Sequence, residues 1–259
     1  MVEFDPIQKH KNLLNILSKF HIFCEKHEIK YFIAAGSALG AKKYGGFIPW
    51  DDDVDIYITR KNFEKLKPLI INNDEFLLKK IFFNDRVLIN DINFKSDFLD
   101  LSILEQVTDS TLLLRIVIYL QKVLRCALYK KIILNQVGVY NKLIFIAMFL
   151  KGKFLKLFLG KKMVYFLQEA LCRATHSDKG KNFKLLSSDT RYLTVCFPKC
   201  WFEECQMIKF ENLMLPTTKH LDEYLRQQYG NISNTPPKSE QVPCHIGNEQ
   251  YLYNFYDKN

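Results

Sequence analysis

Four carboxylates lie within five consecutive positions near the start of the chain, in a stretch that reads GGFIPWDDDVDIY from Gly45 to Tyr57. They are Asp51, Asp52, Asp53 and Asp55. Carboxylates crowded so closely repel one another, and a hard divalent cation with oxygen ligands relieves that repulsion. The stretch therefore predicts a site for Mg²⁺ or Mn²⁺. A solvated acidic turn or a Ca²⁺ loop is the alternative interpretation, although the EF-hand pattern of ligands and glycine is absent.

The residues that follow the acidic stretch predict a strand, because Ile56–Ile58 are β-branched or aromatic. Side chains on a strand alternate between its two faces. We therefore expect the first, third and fourth of these carboxylates on one face, and Asp52 on the other face together with Val54.

A glycine and a serine stand just before the acidic stretch, between a predicted strand and a predicted helix. Lys30–Ala35 reads KYFIAA and is typical of a short buried strand, and Ala38–Ala41 is a run of small residues that favours a helix. A Gly-Ser pair at a helix start offers backbone N–H groups and the positive end of the helix dipole to a phosphate. We predict that Gly36 and Ser37 bind a phosphate group; an ordinary turn is the alternative.

One further carboxylate, Asp100, stands among apolar residues in the stretch Phe98–Leu104, which reads FLDLSIL and predicts another strand. Burying a lone carboxylate is unfavourable unless it is paired or bound to a metal ion. We predict that Asp100 is paired or bound to a metal ion, with a satisfied structural aspartate as the alternative.

The order of strand, Gly-Ser, short helix and Asp-x-Asp strand resembles the nucleotidyltransferases of the polymerase-β type, in which Gly-Ser grips the donor phosphates and the acidic pair holds metal. The run GSALGAKKYGGFIPWDDDVD, from Gly36 to Asp55, resembles more specifically the LicD family of phosphocholine transferases, which includes the fukutin-related proteins. The signature of that family is G-T-L-L-G-A-(V/I)-R-H-x-G-F-I-P-W-D-D-D-(I/V)-D. Lys43 stands where the family usually has Arg and Tyr44 where it often has His. A phosphate contact by Lys43 would keep the charge of Arg but lose its bidentate fork.

The end of the chain carries the same likeness. Phe210–Pro216 matches a family run FEN-x-x-LP, and Tyr229–His245 matches the spacing of the family's ending. Within that ending Asn231 replaces an Asp and Gln241 replaces a basic residue. The resemblance implies that His245 contacts a phosphate or the acceptor, and a structural histidine is the alternative.

The resemblance implies an α+β fold, in which a mixed-sheet, polymerase-β-like nucleotidyltransferase core carries a helical insertion. It implies transfer of phosphocholine, or a related phospho-alcohol, from CDP-choline or another CDP-linked donor to a hydroxyl of a cell-surface glycan such as lipopolysaccharide, capsule or teichoic acid. We expect two ions roughly 3.5–4 Å apart. The resemblance implies that Asp100 supplies the third acidic residue of the site, where it would bind the ion nearest the acceptor or take the proton of the acceptor. Asp53 and Asp55 would be shared ligands, and Asp51 would be a further ligand or would orient one.

The chain is expected to divide by role into a catalytic core (1–105), a basic, apolar helical insertion (106–185) and a C-terminal part that completes the core and the active site (186–259). An apolar stripe predicts an amphipathic helix over Pro6–Glu28 with Asp5 as N-cap. Thr59 is expected to cap a helix that runs to Leu69. Two strands, Phe76–Phe83 and Arg86–Phe94, are expected to form a hairpin with Asn84-Asp85 at its turn.

The middle of the chain is rich in Leu, Ile, Phe and Lys, and Leu143–Leu150 reads LIFIAMFL. It is followed by Lys151, Lys153, Lys156, Lys161 and Lys162. No run reaches the ~20 apolar residues that span a bilayer. Two interpretations stay open: a helix lying in the plane of an anionic membrane surface, and an insertion that packs on the sheet. Nucleic acid is not expected as a partner, because no zinc-finger, RNP or KH pattern is present.

The net charge and the cysteine content indicate the class of partner and the cellular compartment. The net charge of +9 over 259 residues favours a polyanionic partner. Seven widely spread cysteines do not form the pattern of a disulfide framework, and zinc is not expected at Cys196, Cys200 and Cys205. We expect no secretory leader, because Glu3 and Asp5 already stand among the first residues. These features predict a cytoplasmic protein, and the basic middle segment leaves open a peripheral position at the inner face of the membrane.

Two other functions fit the residues less well. One is a nucleotidyltransferase that passes a nucleoside monophosphate to a protein, RNA or small molecule and releases pyrophosphate, whereas phospho-alcohol transfer releases CMP. The other is a non-catalytic membrane-surface protein that binds a glycan, which the intact acidic residues argue against.

Overall fold

The computed structural model describes residues 5–81, 84–89, 97–128, 139–188 and 193–243. Over these ranges the fold is mixed α+β, as predicted. Its elements are, in chain order, α1 (Pro6–Lys26), β1 (Phe32–Ile33), α2 (Ala35–Tyr44), β2 (Val54–Thr59), α3 (Arg60–Ile71), β3 (Phe76–Ile81), β4 (Asn84–Ile89), β5 (Leu99–Val107), α4 (Thr111–Leu128), α5 (Val139–Phe158), α6 (Lys161–Ala174), β6 (Asn182–Lys184), β7 (Cys196–Pro198), a 3₁₀ turn (Lys199–Phe202), β8 (Cys205–Phe210), β9 (Leu213–Thr218), α7 (Leu221–Tyr229) and a 3₁₀ turn (Lys238–Glu240).

The chain forms two compact units. Unit 1 comprises Met1–Leu104 and Phe197–Asn259, and unit 2 comprises Glu105–Cys196. The division of the chain into three parts by role stays a prediction.

The strands of unit 1 form a mixed sheet in the order β1-β2-β5-β4-β3. β2 and β5 run parallel, and the other neighbouring pairs are antiparallel. A parallel pair needs a long crossover, and here α3 with the β3–β4 hairpin supplies it. This crossover places β2 directly beside β5, so that the two strands that carry Asp55 and Asp100 become neighbours. β8 and β9 form a separate two-stranded hairpin.

Helix α1 covers one side of the core of unit 1 and ends two residues before the predicted end. The Asp5 carboxylate accepts hydrogen bonds from the N–H groups of Ile7 and Gln8, at 3.0 and 3.2 Å, so the predicted N-cap is confirmed. The apolar stripe is buried and packs with residues of β2 and β5; its members are Leu13, Ile16, Leu17, Phe20 and Cys24. Each large side chain buried in this way stabilises the fold by about 1.5–3 kcal/mol.

The other predicted elements of unit 1 form with shifted ends. Thr59 caps α3 through the N–H of Asn62, as predicted. The strand predicted over Lys30–Ala35 is limited to β1, because Ala35 already begins α2.

The predicted hairpin turn at Asn84-Asp85 is wrong. Both residues lie in β4, where Asn84 pairs with Ile81 and Asp85 with Lys80. The connection falls on residues 82–83, outside the described residues. Asn and Asp favour turns locally, but the pairing of β4 with β3 and β5 sets the register and overrides that preference.

Unit 2 contains α4, α5 and α6 and a small core of its own. α5 crosses α4 closely at Gly152, where an added Cβ would lie 2.6 Å from the backbone of Val123 and of Ala127. The core consists of Val107, Cys172, Leu186 and Leu193. Within the described residues, none of the helices has both the length and the apolar character that crossing a membrane requires.

Candidate active site

The first three carboxylates of the acidic stretch, Asp51–Asp53, lie in a loop, because β2 begins only at Val54. The carboxylates of Asp51, Asp52 and Asp53 each have an oxygen within 4.8 Å of the others. The expectation that Asp52 faces away from its neighbours is therefore wrong: the alternation of a strand does not apply to residues that precede it. Asp52 and Asp53 are 1% and 6% exposed, so this cluster of charge is largely removed from water.

The remaining two predicted carboxylates meet through the parallel pairing of β2 with β5. Asp55 is the register partner of Asp100, and paired residues of neighbouring strands project to the same face. Burial raises the pKa of Asp55 well above its ordinary value, and the negative charges of Asp53, Asp51 and Asp100 raise it further. The structure thus brings together the four carboxylates predicted as metal ligands; their roles stay a prediction.

The Gly-Ser pair lies at the start of α2 and holds Asp55. The Gly36 N–H donates to Oδ2 of Asp55 at 3.0 Å, and the N–H of Asp55 donates to Oγ of Ser37 at 2.9 Å. A Cβ added at Gly36 would lie 2.9 Å from Oδ2 of Asp51 and 3.3 Å from Oδ2 of Asp55. A glycine is needed here because two carboxylates approach the helix backbone. Phosphate binding by this pair stays a prediction.

The turn into α2 is held by a residue that sequence reasoning missed. Ala35 has φ +40°, in the left-handed region that an alanine rarely adopts. Its N–H donates to the hydroxyl of Tyr224 at 2.7 Å. Burial raises the pKa of Tyr224 far above that of an ordinary phenol, so the hydroxyl stays protonated. Tyr224 comes from α7, and no sequence signal connects it to Ala35.

Glu211 forms hydrogen bonds with Gly45 and Phe47, which lie in the segment before the acidic loop. It occupies the turn between β8 and β9 with φ +54°, and its Oε1 accepts the N–H of Phe47 at 3.0 Å. Its own N–H donates to the carbonyl of Gly45 at 2.7 Å. A Cβ at Gly46 would meet the Glu211 carboxylate at 1.9 Å, so this glycine provides the space for the clamp. The family likeness of the FEN run drew attention to Glu211, but the sequence did not indicate what its side chain contacts.

His10 of α1 also contacts the acidic loop and was likewise missed. Its Nε2 lies 2.8 Å from the carbonyl oxygen of Asp51, and its ring stacks on Phe47 with centroids 4.2 Å apart. Helix α1 therefore supports the loop as well as the core.

Asp100 has a partner, Arg86 of β4. The guanidinium lies 3.3 Å from Oδ1 and 3.4 Å from Oδ2 of Asp100, and it also lies 3.7 Å from the centre of the Phe98 ring. Both charged groups are more than nine-tenths buried. Arg86 offsets part of the negative charge of the cluster and fixes the orientation of Asp100. The sequence held no signal for this pair, since the β4–β5 register alone creates it.

The donor set suits a hard divalent cation. Every group in the cluster offers carboxylate oxygens, which Mg²⁺ and Mn²⁺ prefer. The repulsion that raises the pKa of Asp55 is the kind that a bound cation relieves. The residues that would hold such ions are Asp51, Asp53, Asp55 and Asp100.

The sequence matches to known proteins include the residues of this site. Residues 28–110, which include all of these carboxylates, match the model of the LicD/FKTN/FKRP nucleotidyltransferase domain. The chain is 27% identical over 268 residues to the lipopolysaccharide cholinephosphotransferase LicD of Haemophilus influenzae, an alignment that covers 92% of this chain and 95% of that protein. The chain is a relative of the LicD proteins. The resemblance predicted from the sequence is confirmed.

Shorter stretches of this LicD relative match uncharacterised proteins of Rickettsia. One, from Rickettsia typhi, is 36% identical over 64 residues, which cover 24% of this chain and 21% of that protein. Another, from Rickettsia prowazekii, is 35% identical over 63 residues, which cover 24% of each chain.

Two further residues, Lys43 and His245, were predicted to bind a phosphate or the acceptor. Lys43 Nζ donates to the carbonyls of Ser233 and Asn234 at 3.3 and 2.9 Å, and to Oγ1 of Thr235 at 2.9 Å. These contacts tie the C-terminal segment to α2, and a phosphate contact by Lys43 stays a prediction. His245 lies outside the described residues.

The expectation that zinc does not bind Cys196, Cys200 and Cys205 stays a prediction for the part of the chain that the structure describes. These cysteines form no disulfide there. The group of side chains that converges for a metal ion contains aspartates alone.

Proposed function

We propose that this LicD relative transfers phosphocholine, or a related phospho-alcohol, from CDP-choline or another CDP-linked donor to a hydroxyl of a cell-surface glycan. Lipopolysaccharide is the first acceptor to test, and capsule and teichoic acid are the others. The observation that carries the proposal is the convergence of the aspartates from β2, β5 and the preceding loop beside the start of α2. The Haemophilus protein is named as a lipopolysaccharide cholinephosphotransferase, and the alignment with it covers 92% of this chain, which supports a transferase.

We propose that Asp51, Asp53, Asp55 and Asp100 hold Mg²⁺ or Mn²⁺, as two ions, on a nucleotidyltransferase core of the polymerase-β type. Such ions, when bound, neutralise the charge that develops on a transferred phosphoryl group and its leaving group. Asp53 and Asp55 are the shared ligands in this proposal. The site would then be specific for a donor with a diphosphate, since that group carries the charge that the ions recognise.

The reaction forms one bond and breaks one. The acceptor oxygen bonds to the phosphorus of phosphocholine, the bond from that phosphorus to the oxygen of CMP breaks, and CMP leaves. Asp100 takes the proton of the acceptor hydroxyl, and Arg86 orients its carboxylate for that purpose. Gly36, Ser37, Lys43 and His245 are the residues proposed to bind the phosphates of the donor. We place the protein in the cytoplasm, at the inner face of the membrane.

The test is a product analysis with purified full-length protein, CDP-choline, Mg²⁺ and a panel of glycans that includes lipopolysaccharide. We expect CMP release and a phosphocholine mass increment on one glycan, both abolished by EDTA and restored by Mg²⁺. CDP-ethanolamine in a parallel arm tests which alcohol is carried. Pyrophosphate release from a nucleoside triphosphate would replace the proposal with nucleotidyl transfer. Glycan binding without turnover of any donor would leave a binding protein.

A further inference from the structure

The first half of α4 presents an apolar face to solvent. Its members recur at the spacing of a single helical stripe, and each is at least 37% exposed; they are Leu112, Leu113, Ile116, Tyr119 and Leu120. A helix of a globular protein normally buries such a stripe. In the second half of α4 the order is the usual one, since Leu124 and Leu128 are buried.

Helix α5 presents a second apolar face. Ile144, Leu150, Phe154, Leu157 and Phe158 are exposed, with Leu157 at 79% and Phe158 at 72%. The opposite side of the helix is used for packing, because Gly152 lies against the backbone of α4. The exposed side chains are therefore additional to those that hold the two helices together.

The two stripes adjoin each other. Lys151 of α5 donates to the hydroxyl of Tyr119 of α4 at 3.2 Å, and its ammonium lies 6.0 Å from the centre of the Tyr119 ring. The exposed stripes of α4 and α5 thus meet at Tyr119 and Lys151, and we call the two stripes together the α4–α5 face. It is defined by Leu112, Leu113, Ile116, Tyr119, Leu120, Ile144, Leu150, Phe154, Leu157 and Phe158.

Positive charge is concentrated in the segment of the chain that carries the α4–α5 face. Between Thr111 and Ala174 the chain has twelve Lys or Arg residues and a single acid, Glu169, so this segment carries the whole positive excess of the +9 chain. Lys151 and Lys156 are exposed on α5 itself. Lys153 lies over the ring of Phe149, 5.0 Å from its centre, and burial followed by the charge of Lys156 lowers its pKa.

This combination selects one kind of partner. Exposed apolar side chains with exposed lysines on the same helix suit the boundary between anionic head groups and acyl chains, where the apolar side chains enter the acyl region and the ammonium groups reach the head groups. A second copy of the chain would bring the same positive charge to the contact. Nucleic acid would satisfy the lysines but not the aliphatic side chains.

We propose that the α4–α5 face binds a bilayer surface that contains anionic phospholipid, with α4 and α5 lying in the plane of the membrane. The face lies in unit 2 and contains none of the carboxylates of unit 1. The proposal therefore does not depend on the reaction proposed above, and it is tested without measuring turnover.

The experiment measures binding of the full-length protein to sedimented vesicles of phosphatidylglycerol mixed with phosphatidylcholine, and to vesicles of phosphatidylcholine alone. We expect binding to the anionic vesicles that is at least about tenfold tighter and that weakens with salt. Replacing Phe154 and Leu157 together by Ser should lower the partition coefficient more than about tenfold. Replacing Lys151 or Lys156 by Gln should lower it about fivefold, and for anionic vesicles only.

The control variant replaces Ile22 and Met207 by Ser, since both are exposed apolar residues of unit 1. It should bind vesicles as the unaltered protein does, and circular dichroism should show that each variant is folded. Equal binding by the Phe154/Leu157 variant, or no binding to anionic vesicles, would overturn the proposal. A dimer in light scattering that the Phe154/Leu157 substitutions dissociate, without any vesicle binding, would overturn it in favour of a second copy.

Discussion

The acidic cluster of unit 1 and the α4–α5 face of unit 2 depart in opposite ways from the usual distribution of residues. In the cluster, Asp52, Asp53 and Asp100 are buried, although carboxylates normally remain in water. On the α4–α5 face, large apolar side chains that are normally buried are exposed. Both arrangements cost folding stability. A chain retains such costs where a ligand or a surface compensates for them, so each departure indicates a place where the protein binds something.

The largest effect is expected from removing one ligand of the cluster. Asp53→Ala should lower turnover by about 10³-fold or more, because charge on the transferred group would lose its stabilisation. The melting temperature should stay near that of the unaltered protein, since the substitution also removes repulsion. Asp74→Ala, at an exposed position, is the control. CMP release and thermal unfolding measure the two effects, and unchanged turnover in the Asp53 variant would remove the site assignment.

A second variant separates site geometry from stability. Gly36→Ala would place a methyl group 2.9 Å from the Asp51 carboxylate and displace it, so turnover should fall about 10²-fold. Alanine favours a helix over glycine, so any loss of stability should be small.

Gly160→Ala is the matched control for that variant, because no atom lies within 4 Å of its added Cβ. Its turnover should match that of the unaltered protein. If Gly36→Ala were equally active, the close approach of the two carboxylates to α2 would have no bearing on the reaction.

The raised pKa of Asp55 predicts a pH dependence of stability in the metal-free protein. A folded-state pKa above the ordinary value of 3.8 means that the folded state binds the proton more tightly than the unfolded state does. The free energy of unfolding should therefore fall as the pH rises from the ordinary carboxyl range towards the raised pKa. Asp55→Asn should flatten this slope, and Mg²⁺ should stabilise the unaltered protein most at the higher pH. Urea unfolding at several pH values with EDTA or Mg²⁺ measures both, and a slope unchanged by Asp55→Asn would contradict the burial of its charge.

The smallest effect is expected at the clamp of the acidic loop. Glu211→Ala leaves the Phe47 N–H without its carboxylate partner and should lower the free energy of unfolding by about 1 kcal/mol. Turnover should fall severalfold as the loop becomes less well positioned. Glu240→Ala is the control on the same C-terminal part of unit 1. Identical turnover and stability in both variants would show that the loop does not depend on Glu211. Vesicle binding should be unaffected in all of these unit 1 variants, as the contrast between the two regions requires.

The sequence by itself determined the features that depend on near neighbours. The stripe of α1, the caps at Asp5 and Thr59 and the strand around Asp100 all follow from spacing within a turn or from alternation along a strand. The likeness to LicD was also found in one continuous run of residues, Gly36–Asp55. Even here the alternation rule failed at Asp52, because the loop before β2 is not pleated.

Only the tertiary structure decided which distant groups meet. The parallel pairing of β2 with β5 places Asp55 opposite Asp100, and the β4 register supplies Arg86. The hydroxyl that holds Ala35 comes from a residue 189 positions away. Nor does the sequence alone distinguish an apolar stripe that packs from one that stays exposed, as on α4 and α5. Local patterns record what a segment prefers, whereas these contacts depend on the free energy of closing and packing the whole chain.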